Sequence, residues 1–138
     1  MDWKKKCYSA LYAEYMFEGL DHANRFKEMV DCFSGYPFFT KGLCKCIYLS
    51  TWDNDHFCIM LETLTDLSLG RETTTEEMRI KGDILAEEQV DAEYYVYQLS
   101  NSFLDGKPFI MDSSIVLPES FQYIIDRALK AAEIIDNL

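Results

Sequence analysis

Glu14, Glu18 and His22 recur every four residues, and Asp53 stands three residues before His56. On a helix both spacings place side chains on one face. Carboxylates and imidazoles gathered in this way can hold a divalent metal or work as an acid–base pair. These five residues are therefore the metal-ligating candidates of the chain. Their match to helical dimetal sites is incomplete. Those sites need a Glu-x-x-His motif on each of two helices plus further inward glutamates, and no Glu-x-x-His occurs here. Cys44-x-Cys46 offers thiolates for zinc, a weaker arrangement than paired C-x-x-C knuckles. Read more simply, the carboxylates are solvated, Asp53 caps a helix, His22 sits at the core edge and the thiols are buried. That simpler account predicts neither a metal nor a cofactor, and it is the one adopted.

Nucleophilic chemistry has few carriers. The chain has two histidines, no Gly-x-Ser-x-Gly elbow and no glycine-rich phosphate loop, so the usual hydrolase and nucleotide signatures are missing. A Cys–His pair such as Cys58 and His22 would have to be assembled by the fold. No residue is assigned as catalytic.

Charge says more than any motif. The 138 residues carry 24 acids against 13 bases, a net −11. Direct nucleic-acid binding is excluded, because phosphate contacts need clustered Lys and Arg. Docking on an anionic membrane surface is disfavoured for the same reason, and no apolar run reaches the roughly 18 residues of a spanning helix. Residues 51–100 hold three bases and twelve acids, a net −9. On a helical wheel with Met78, Leu85, Leu99 and Phe103 facing inward, Glu76, Asp83, Glu87 and Asp91 fall on the outer side, with Ile80, Ile84, Tyr94 and Tyr95 among them. Aromatic and aliphatic groups supply burial at an interface while carboxylates steer a basic partner. These eight residues are the expected partner-binding surface.

The function expected is that of a small, acidic, non-enzymatic protein-binding module with a basic protein partner. In its sharper form it is an inhibitor, immunity or counter-defence protein that occupies a nucleic-acid-binding site, since carboxylates compete with phosphates for the same Lys and Arg. A helical-bundle metal protein or enzyme using the core carboxylates and histidine is one alternative. A self-associating module, a homodimer joined through its tyrosines, is another.

The elements that must position these groups are helical. Tyr8, Tyr12, Tyr15, Gly19, His22, Phe26, Met29 and Phe33 make one stripe through residues 2–34. Gly19 weakens its middle and Asp21 can cap a restart, so a kink falls near 19–21. Residues 38–50 are apolar almost all round and read as a short buried helix, with a strand as the alternative for Cys46–Leu49. Asp53 is the N-cap of a helix running through Phe57 and Leu64 to Gly70. Two capping boxes, Thr73-x-x-Glu76 and Thr74-x-x-Glu77, open a long helix to Phe103. A last helix follows Pro118 and buries Phe121, Ile124, Ile125, Ala128, Leu129, Ala132 and Ile135. Residues 107–116 form a loop that pins Phe109 and Met111 on the bundle.

The expected fold is all-α: a single domain over residues 1–138, an antiparallel helical bundle of about four to five helices. The odd cysteine count, five, does not suit an oxidised framework. Lys4–Lys6 is followed by a tyrosine-containing run that meets Glu14 before any cleavage-type site. It reads as helix rather than signal peptide, and a cytoplasmic location is expected.

Overall fold

A computed structural model describes residues 3–70, 92–111 and 114–138. Among the described residues there are six helices and no strand: α1 (Trp3–Ala13), α2 (Leu20–Phe33), α3 (Lys41–Ser50), α4 (Asn54–Ser68), α5 (Ala92–Asp105) and α6 (Glu119–Asp136). The fold is all-α, as the three-four spacing predicts.

The first helical segment divides earlier than expected. Tyr15 adopts a left-handed backbone, φ 56°. Its N–H donates to Tyr12 O, and the Met16 N–H reaches back to Leu11 O. Those two bonds are the Schellman closure, with Tyr15 in the position usually given to glycine. The break thus spans residues 14–19, and Gly19 merely precedes α2 in an extended conformation, φ 169°. Asp21 lies inside the first turn of α2 and does not cap it. The stripe breaks with the helix. Cys7 and Leu11 face the core, whereas Tyr12 is exposed and Tyr15 is 85 % exposed. Beyond the break the expected positions hold: His22, Phe26, Met29 and Phe33 are all buried.

α3 is the central element. Thr40 caps it by accepting from the Leu43 N–H, and Leu43, Cys44, Cys46, Ile47, Tyr48 and Leu49 are buried. It packs mainly on α5 and α6 and also touches α2 and α4. Neighbours on so many sides explain why the segment is apolar nearly all round and why its β-branched end stays helical. Gly42 marks the closest approach: a Cβ there would collide with the Phe103 carbonyl of α5. Arg25 of α2 closes the far end, donating from Nε to Thr51 O at 2.8 Å and from Nη2 to Trp52 O at 2.9 Å.

α4 begins as expected, with Asp53 Oδ1 accepting from the His56 N–H at 2.8 Å. It ends before Gly70 at φ 76°. α5 keeps the predicted phase, with Leu99 and Phe103 buried and Val96 partly so. The capping boxes, Met78, Leu85 and most of the acidic face lie outside the described residues. α6 buries Ile125, Ala128, Ala132 and Ile135, but Leu129 is 41 % exposed and Ala131 turns inward instead. The alanine-rich stripe that meets α3 is narrow, and Leu129 falls on its shoulder. Phe109 packs on the core while the adjacent Ile110 is exposed.

Candidate functional site

His22 is buried in an aromatic box. Phe17, Tyr48 and Trp52 lie with ring centroids 5.1, 4.9 and 5.2 Å from the imidazole. Its Nδ1 accepts from the Glu18 backbone N–H at 3.1 Å, which leaves Nε2 to donate to Tyr48 O at 3.0 Å. Both ring nitrogens are therefore spent on the backbone, and neither presents a lone pair to a metal. Burial is the main reason its pKa falls to about 4; the Tyr48 carbonyl opposes this, and the positive charges of Arg25 and Arg127 reinforce it. His22 is a neutral core residue.

The carboxylates expected beside it go elsewhere. Glu14 is exposed in the break between α1 and α2. Glu18 accepts from Tyr123 Oη at 3.1 Å and lies 3.6 Å from Arg127 Nε. Among the described residues no group of three or more His, Cys, Asp or Glu side chains is arranged to hold a metal ion. The thiols are likewise committed. Cys46 Sγ donates to Ser100 O at 3.0 Å, and the Cys44 thiol is held well above its ordinary pKa, first by its hydrogen bond with Cys7 and then by burial. Cys58 is exposed and His22 buried, so they do not form the pair considered from sequence.

Asp53 and His56 do come together, and at a better place. A cleft of about 640 Å³ opens between α4, α5 and the start of α6. Its walls include Leu49, Met60, Val96, Leu104, Phe121 and Ile124. Asp53, Glu62, Asp66 and Glu93 supply carboxylates, and among the described residues that line it none is Lys or Arg. In one wall the Asp53 carboxylate meets His56 Nδ1 at 2.7 Å. An anionic acceptor there fixes the neutral imidazole as the Nδ1–H tautomer. Nε2 then accepts from Tyr97 Oη, 2.9 Å away. Glu93 Oε1 stands 3.7 Å from the same nitrogen. One turn further along α5, Asn101 also lines the cleft. It is only 3 % exposed, and its Nδ2 finds no acceptor among the described residues.

Sequence reasoning found the first two members of this group and missed Tyr97, Glu93 and Asn101. The one available signal was the four-residue spacing of Glu93, Tyr97 and Asn101, which aligns them on a single helical face. Tyr94 and Tyr95 are half-buried rather than standing out from the surface. Their rings pack edge to face at 5.3 Å and share a small hollow with Phe109, Ile110 and Met111. Glu76, Ile80, Asp83, Ile84, Glu87 and Asp91 lie outside the described residues.

Among the described residues no helix is long and apolar enough to cross a membrane. Comparison with protein-family models, curated proteins and solved structures finds no match to this chain. Its function must be argued from its own geometry.

Proposed function

We propose that this chain is a small protein-binding module whose cleft between α4 and α5 receives a basic, amphipathic segment of a partner protein. The observation that carries the reading is the lining: among the described residues, an apolar floor is bordered by four carboxylates and by no lysine or arginine. An amphipathic helix lays its apolar face in such a groove and leaves its charges to the rim. By their charge Glu76, Asp83, Glu87 and Asp91 favour the same basic partner, and Ile80 and Ile84 would add apolar contact. The sharper form is occupation of the nucleic-acid site of a nuclease or DNA-binding enzyme. A single antiparallel domain over residues 1–138 belongs to the same reading.

A Lys/Leu-patterned amphipathic peptide tests it, with Trp52 fluorescence as the readout in a Trp3→Phe background. Binding should weaken with added salt and should be lost in Met60→Glu, whereas Ser9→Glu on α1, which adds the same charge, should leave it intact. Asp83→Lys with Glu87→Lys should slow association more than it speeds dissociation. Equal effects of Met60→Glu and Ser9→Glu would mean that bulk charge attracts the peptide and the cleft does not.

A further inference from the structure

Four side chains in the cleft wall have a chemical order that partner binding does not use. Asp53 orients His56, His56 is hydrogen-bonded to the Tyr97 hydroxyl, and Asn101, whose buried Nδ2 has no acceptor among the described residues, is one of the residues lining the same cleft. A nucleophile within reach of a base that is itself oriented by a third group is the signature of covalent catalysis. A preorganised donor beside it is what a developing oxyanion requires. Tyr97 and Asn101 are four residues apart on α5, which puts their Cβ atoms about 5–6 Å from one another.

We propose that the cleft is an acyl-transfer site in which Tyr97 is the nucleophile, His56 the general base, Asn101 the oxyanion donor and Asp53 the positioning residue. The substrate class is a neutral carboxylic ester with an apolar acyl chain. Met60, Val96 and Leu104 suit the chain, while Glu62 and Glu93 repel anionic substrates and expel the carboxylate product. Tyr97 Oη attacks the carbonyl carbon as His56 Nε2 takes the phenol proton, and the carbonyl electrons move onto the oxygen facing Asn101. Collapse restores the carbonyl, breaks the ester C–O bond and releases the alcohol with the proton from His56. Water then attacks the acyl-tyrosine while His56 accepts its proton, freeing the carboxylic acid as the proton returns to Tyr97. This goes beyond the partner-binding reading and does not rest on it.

p-Nitrophenyl butyrate is the probe. The parent protein should release a burst of p-nitrophenolate stoichiometric with the chain and carry a butyryl group on Tyr97 by peptide mass spectrometry. Tyr97→Phe, which keeps the ring, should abolish both. His56→Asn should slow acylation by about 10²–10⁴-fold, and Asn101→Ala by about 10²–10³-fold. Asp53→Asn should slow the burst and displace its pH profile with the melting temperature retained, a pattern a purely structural Asp53 would not produce. Absence of the Tyr97 adduct in the parent protein overturns the proposal. So does an undiminished burst in folded Tyr97→Phe or His56→Asn, with folding verified by circular dichroism. Either result leaves the peptide experiment unaffected.

Discussion

His22 and His56 show how little a residue type says before its surroundings are known. One imidazole is buried among Phe17, Tyr48 and Trp52 with both nitrogens on backbone groups; the other sits in a cleft wall between a carboxylate and a phenol. For His22 the consequence is a pH dependence of stability. Its folded pKa, about 4, lies below the ordinary 6.5, so the unfolded chain takes up the proton first as pH falls. The stabilisation is complete above pH 6.5 and is lost progressively down to pH 4, by roughly 3 kcal/mol in all. Denaturant midpoints should fall across that window, and His22→Gln should remove the part of the slope above pH 5, where most carboxylates are still ionised. An unchanged slope in the variant would show that other groups set the dependence.

At the scale of the element, what was legible in the sequence is what is decided locally. The Asp53 cap, the helix after it and the inward phase of Leu99 and Phe103 follow from side chains a few residues apart. The break at 14–19 escaped because it turns on Tyr15 in a left-handed conformation, whereas the eye is drawn to Gly19. The candidate site was half legible for a related reason. Asp53 and His56 are three residues apart, but the Tyr97–His56 hydrogen bond spans 41 positions and exists only once α5 is laid beside α4. Two substitutions check these elements. Tyr15→Gly should raise stability by up to about 1 kcal/mol, because glycine adopts the left-handed conformation without steric cost. Gly42→Ala should lower it by about 1–3 kcal/mol, since α3 and α5 must move apart to admit a methyl group. Thermal melts resolve both, and a neutral Gly42→Ala would mean the two helices are not held at that spacing.

Across the whole molecule, twenty-four acids against thirteen bases leave a net charge of −11, and this excess repels itself in the compact state. Ion pairs such as Lys45–Asp136 at 2.6 Å are partly solvated and offset little of this, typically under about 1 kcal/mol each. Raising ionic strength from about 0.01 to 0.15 M shortens the Debye length from about 30 to 8 Å, so the melting temperature should climb with sodium chloride over that range. A flat or falling response would mean that local pairs outweigh the global repulsion. The proposed basic partner would relieve part of the same imbalance.

Arg25 is not among the described residues that line the cleft, yet its guanidinium holds the Thr51 and Trp52 carbonyls immediately before Asp53. The turn that aims Asp53 at His56 is thus braced from behind by α2. Transient opening of that turn should accordingly be coupled to α2, and the amides that follow it should share one protection free energy. In Arg25→Met, which keeps the aliphatic stem, deuterium uptake at the His56 and Phe57 amides should quicken while uptake in α1 stays as it was. Uniform acceleration would point to global unfolding instead. Damage to the cleft would then arise at a residue more than twenty positions upstream, through a loosened hinge rather than a lost contact.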